Sequence, residues 1–121
     1  MPLVDEDLWR KCKEQHDTYK KTEDEDTDFA KQMRPLENLL QNKKASAQRH
    51  TDFCSLLAER IKLVQRLHKE RLRYIELDCD KFDWFNRGTT KAQRLADHQD
   101  TLNNVDDRLK NLYALNKRFC Q

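Results

Sequence analysis

The chain has one glycine and two prolines in 121 residues. Strand-rich folds need many tight turns, and most tight turns use glycine or proline, so this scarcity argues against a β-sandwich or a barrel. Walker and dinucleotide-binding phosphate loops need several glycines close together, whereas Gly88 stands alone. The sequence therefore predicts an all-α protein.

Long apolar runs are also lacking. No stretch approaches the ~18–20 apolar residues of a membrane span, and the amino terminus shows no basic segment followed by an apolar one. The net charge of +2 is too small to predict a nucleic-acid or membrane partner. Four widely spaced cysteines form no CxxC motif. We therefore expect a cytoplasmic or nuclear protein with reduced thiols, neither secreted nor membrane-bound.

Heptad spacing of apolar residues is the strongest positive signal. Alternate steps of four and three from Phe29 to Phe85 meet apolar residues at twelve of seventeen positions, which predicts a helix that buries one seam against partner helices. A second apolar stripe between residues 56 and 84 favours a bundle with two neighbours. The seam residues expected to contact partner helices are Leu57, Ile61, Val64, Ile75, Leu102, Val105, Leu109 and Leu112.

Two breaks divide the chain. Pro35 opens or kinks a helix, and Gly88 can end one, with Thr89 or Thr90 capping the next. We predict helices at about 5–33, 36–86 and 89–119, with reversals near Pro35 and Gly88; a helix running straight through Pro35 is the alternative. The fold would be a single domain of elongated antiparallel hairpins, a three-helix coiled-coil-like bundle with a long middle helix. Its shallow core favours self-association or a larger complex.

Two stretches resemble parts of known helical families. Residues 48–67 (QRHTDFCSLLAERIKLVQRL) are similar to the second helix of a spectrin repeat, and Trp9 would match its first-helix tryptophan. Residues 98–109 (HQDTLNNVDDRL) resemble a fragment of a SNARE motif. The predicted middle helix is too long for a spectrin repeat, and the second fragment lacks the SNARE central layer and membrane anchor. Neither stretch indicates membership of a family.

Four cysteine and histidine residues suggest a metal site as an alternative. Cys12 and His16 are spaced like His50 and Cys54, and a hairpin centred at residue 33 would bring the two pairs together as a Cys2His2 zinc set. His50 and Cys54 also fall on seam positions, where ordinary packing explains them. We therefore favour no metal and no other cofactor.

A basic patch lies in the middle segment. Its functional interpretation is contact with phosphates or with an acidic protein surface such as a filament. Aromatic residues for base stacking are absent between residues 60 and 73, so nucleic acid is the weaker choice, and pairing with the acidic first segment is the simplest explanation. The patch comprises Arg60, Lys62, Arg66, Lys69, Arg71 and Arg73.

No residue lies in a recognised nucleophile context, and polar seam residues such as His68, Arg71 and His98 are expected to set helix register. We predict no enzyme activity. The function that we expect is a non-catalytic structural or adaptor subunit whose seams bind protein helices, within a cytoplasmic or cytoskeletal assembly. The alternatives are nucleic-acid or acidic-filament binding through the basic patch, and a zinc-stabilised helical scaffold.

Overall fold

The computed structural model describes residues 6–79 and 90–121, which form three helices. They are α1 (Glu6–Gln41), α2 (Ala47–Glu76) and α3 (Lys91–Phe119). At 1.5 Å per residue their lengths are about 54, 45 and 44 Å. The all-α prediction is confirmed.

Helices α1 and α2 are antiparallel. Gln15 near the start of α1 bonds to Glu70 near the end of α2, and Asp26 further along α1 bonds to Arg60 earlier in α2. Since the partner number falls as the α1 number rises, the two helices run in opposite directions.

Helices α2 and α3 are also antiparallel. Gln65 donates a hydrogen bond to Tyr113, whereas His68 lies 3.4 Å from Asp106. The order is therefore up-down-up, with α1 and α3 each packed along α2 and less closely on each other.

The predicted reversal at Pro35 is wrong. Helix α1 continues through Pro35 to Gln41, and the chain turns instead over residues 42–46. Lys43 takes a positive φ of 57°, with hydrogen bonds from Lys44 N to Leu39 O and from Lys43 N to Leu40 O. This is the Schellman arrangement, here built without glycine. The burial of Leu36 beside the proline helps to offset the lost helical hydrogen bond.

The predicted end of the middle helix is wrong as well. Helix α2 starts at Ala47, capped by Ser46, and ends at Glu76 rather than 86. Asp78 has a positive φ of 55°, a conformation that aspartate tolerates better than most residues. Gly88, the predicted reversal point, lies outside the described residues. Thr90, one of the two predicted caps, forms a capping box at the start of α3.

The seam residues pack inside the bundle. Leu57, Val64, Val105 and Leu112 are buried in one apolar cluster, together with residues of all three helices. The remaining seam residues are partly buried; they are Ile61, Ile75, Leu102 and Leu109. The surface that was expected to receive partner helices is thus used within the chain.

Two disulfides lie at opposite ends of the bundle: one joins α1 to the segment just after α2, and the other joins α2 to the end of α3. Cys12 pairs with Cys79, with a Cα separation of 5.5 Å, and Cys54 pairs with Cys120, with a Cα separation of 5.7 Å. No cysteine of the chain remains free. The expectation of reduced thiols is therefore wrong.

Candidate functional site

An ion cluster joins the three helices near their middle. Asp26 on α1 accepts a hydrogen bond from Arg60 Nε at 2.7 Å through Oδ1 and from Arg108 Nη1 at 2.9 Å through Oδ2. Arg108 Nη1 also lies 2.8 Å from Glu23 Oε1. The Asp26 side chain is only 5% exposed, so each of these charge-assisted bonds replaces water that the carboxylate has lost.

Opposing effects act on the pKa of Arg108. Burial lowers this pKa, but the carboxylates of Glu23 and Asp26 raise it by more, so the pKa of Arg108 lies above its ordinary value. The guanidinium therefore stays charged, and the cluster functions as a fixed link between helices. Thr22 and Asp26 are both buried on α1, and each forms a hydrogen bond to a residue of α2.

A second polar group lies toward the amino end of α1. Thr22 Oγ1 donates to Glu70 Oε1 at 3.1 Å, and Gln15 Nε2 donates to the Glu70 carbonyl at 3.2 Å. Glu70 is 8% exposed, and its Oε2 is buried without a hydrogen-bond partner within the described part of the chain. Burial raises the pKa of Glu70 above its ordinary value, while the hydrogen bond from Thr22 and the charge of Arg66 oppose the rise.

Arg71 lies beside this carboxyl in the sequence but points to different partners. Its guanidinium is 4.4 Å from the centroid of the Tyr19 ring, and its Nη1 is 3.2 Å from His98 Nδ1. The His98 ring lies 5.8 Å from that of Tyr74. Seam residues Arg71 and His98, like His68 and Asp106, thus form contacts between α2 and α3. That polar seam residues set helix register stays a prediction.

Two adjoining pockets open around Arg71. One, of about 320 Å³, lies between α1 and the end of α2 and is bounded by His16, Lys20 and Tyr74. The other, of about 400 Å³, lies between α1 and α3. The two pockets share Tyr19, Glu23 and Arg71 as lining residues. Sequence reasoning missed this site, because its residues come from three helices whose register the sequence did not give.

The predicted basic patch is divided between the interior and the surface. Arg60 pairs with Asp26, and Arg71 packs on Tyr19. The other four residues are exposed on α2; they are Lys62, Arg66, Lys69 and Arg73. Their spacing of four, three and four places them along one helical face about 16 Å long.

The structure does not assemble the alternative zinc set. Cys12 and Cys54 belong to different disulfides. His16 lies 3.5 Å from Asp17, and His50 contacts the carbonyl of Phe119. Within residues 6–79 and 90–121, no group of three histidine, cysteine, aspartate or glutamate residues could hold a metal ion.

Comparison with protein families, curated proteins and solved structures finds no match to the chain. None of the three helices described above has the length and apolar character needed to cross a membrane.

Proposed function

We propose that the chain is a non-catalytic adaptor that docks on an acidic protein surface through the outer face of α2. The observation that carries the proposal is the exposed stripe of Lys62, Arg66, Lys69 and Arg73, called here the α2 basic stripe. A rigid helix holds the four cations in a fixed row, so a matching row of carboxylates could pair with several of them at once.

The stripe suits a protein partner better than a nucleic acid. Leu72, 39% exposed, lies next to Arg73 and offers apolar contact area of the kind that protein interfaces use. Glu59 and Glu76 lie within 3.7 Å of Lys62 and Arg73, and these carboxylates would repel a continuous phosphate backbone. Tyr74, which follows Arg73 in the sequence, is buried.

Partner binding through the heptad seams, the other adaptor mode, has less support. Four of the eight seam residues are buried in the chain's own core and the other four are partly buried. A partner helix could reach them only if α1 or α3 moved away.

The two disulfides bear on where the adaptor works. Disulfides persist in oxidising compartments and are rare in the cytosol, and here all four cysteines are paired. We therefore propose an oxidising compartment in place of the cytoplasmic location that the sequence suggested.

The test is fluorescence anisotropy with two labelled probes of similar charge, a glutamate-rich peptide and a single-stranded oligonucleotide. The variant Lys62→Glu/Arg66→Glu/Lys69→Glu reverses three of the four charges of the α2 basic stripe. The control Lys31→Glu/Arg34→Glu/Lys110→Glu makes the same change of charge at exposed residues on α1 and α3.

The proposal expects the peptide to bind the wild type and the control, with loss of binding in the stripe variant and weakening as salt increases. Tighter binding of the oligonucleotide would favour the nucleic-acid alternative. Equal losses in the two variants would show that net charge, rather than the stripe, governs binding.

A further inference from the structure

We propose that the groove formed by the two pockets around Arg71 binds a small monocarboxylate with a flat apolar body. The carboxylate would pair with the Arg71 guanidinium, and the apolar body would lie in the pocket bounded by Tyr19 and Tyr74. This site is separate from the α2 basic stripe, and the inference does not depend on the proposed adaptor function.

Arg71 differs from Arg60 and Arg108, which are also partly buried. Arg60 and Arg108 have carboxylate oxygens 2.7–2.9 Å away. Arg71 has a tyrosine face and a histidine nitrogen but no carboxylate partner among the described residues, and its buried Nε has no hydrogen-bond acceptor there. A partly buried charge without a counter-ion is costly, so an anion in the groove would offset that cost.

Size and lining define the apolar part of the ligand. A volume of about 320 Å³ lies at the lower end of the range of small-molecule pockets, which are mostly apolar with a few well-placed polar groups. Tyr19 is already held against Arg71, so part of the site is organised before a ligand arrives. One or two fused rings would fit this space.

Charges around the groove favour a single negative charge on the ligand. Lys20 adds a second cation at the edge, and the Glu23 carboxylate is occupied by Arg108. Asp24 and Asp100 are exposed carboxylates on the linings of the two pockets. Their repulsion would disfavour a polyanion such as a nucleotide more than a monocarboxylate.

The first test uses 2-naphthoate and its uncharged analogue 2-naphthamide, titrated into the wild-type chain with its disulfides intact. Isothermal calorimetry should show that the carboxylate binds at least about tenfold more tightly, because charge-assisted hydrogen bonds are about twice as strong as those between neutral groups. Equal affinities, or no binding of naphthoate at millimolar concentration, would overturn the proposal.

The second test compares Arg71→Met with Arg73→Met. Methionine keeps an unbranched apolar side chain without the charge, and Arg73 is an exposed arginine on the same helix that pairs with Glu76. Naphthoate binding should fall to the level of naphthamide in the first variant and remain unchanged in the second. Retained binding in a folded Arg71→Met chain would refute the assignment.

Nuclear magnetic resonance locates the ligand in the wild type, so the proposal remains testable if Arg71→Met does not fold. Naphthoate should shift the amide resonances of pocket residues, among them Tyr19, Arg71 and Thr101. Shifts confined to the α2 basic stripe would instead indicate non-specific attraction of an anion to surface cations, and would contradict the proposed groove.

Discussion

The two ends of the bundle are closed in different ways. At the apolar end, the last turns of α1 and α3 meet the start of α2, with Phe53 fully buried and packed edge-to-face on Phe119 at 5.9 Å. At the polar end, the start of α1 meets the end of α2, and Glu70, Arg71 and His98 lie among the contacts. A disulfide closes each end.

Stability and helix register depend on different kinds of contact in this molecule. Apolar burial is non-directional, so it distinguishes neighbouring helix registers less sharply than a hydrogen bond does. A hydrogen bond such as that of Thr22 with Glu70 forms at one register only, although burial of the carboxyl has an energetic cost. We infer that contacts at the apolar end contribute more to the free energy of unfolding. Contacts at the polar end contribute more to fixing the helix register.

Removal of either disulfide should have the largest effect. The two bonds close loops of nearly equal length, with separations of 67 and 66 residues, so chain entropy predicts about the same loss of about 4 kcal/mol in the free energy of unfolding. The variants are Cys12→Ala/Cys79→Ala and Cys54→Ala/Cys120→Ala, measured by urea denaturation. A loss below about 1 kcal/mol at one end alone would show that the other bond provides most of the constraint.

A core substitution at the apolar end should rank second. Leu57 is 0% exposed, and Leu57→Ala should lower the free energy of unfolding by about 3 kcal/mol through lost burial and a residual cavity. Leu72→Ala is the matched control, because Leu72 lies on the same helix at 39% exposure. The control should change stability by less than about 1 kcal/mol. Similar losses for both leucines in denaturant unfolding would contradict the buried position of Leu57.

Much of the architecture could be predicted from apolar spacing. Heptad positions identified buried residues such as Val64 and Val105 correctly, because a helix buries the same face wherever its neighbour comes from. The first turn could not be predicted, since Lys43 takes a left-handed conformation that the sequence marks with no glycine. Pro35 was misleading because tertiary packing on Leu36 holds the helix through it.

Most of the candidate site could not be predicted, for one shared reason. The pairing of Cys12 with Cys79, and the meeting of Arg71 with His98, depend on the register of helices that are far apart in the chain. An incorrect turn position shifted every cross-helix partner of α1. The basic residues on the outside of α2 were predictable, because their common face follows from the spacing within one helix.

The smallest expected effect is at the polar end, where ionisation of Glu70 should make the free energy of unfolding depend on pH. Its pKa in the folded chain lies above the ordinary 4.5 because burial disfavours the charged form. The folded state therefore binds this proton more strongly than the unfolded state, and ionisation destabilises the fold as pH rises from about the ordinary value through the folded pKa. Below the ordinary value both states are protonated, and the effect is absent.

Glu70→Gln should remove this dependence, because the uncharged amide oxygen can still accept the hydrogen bond from Thr22. The free energy of unfolding of this variant, relative to that of the wild type, should increase as the pH rises from about 4 to about 7. This increase should be smaller than the loss that Leu57→Ala causes. Glu59→Gln is the control, since the Glu59 side chain is 58% exposed and carries no comparable burial. If the Glu70→Gln difference were constant across this range in urea denaturation, ionisation of Glu70 would not affect stability, and the polar end would set register without that energetic cost.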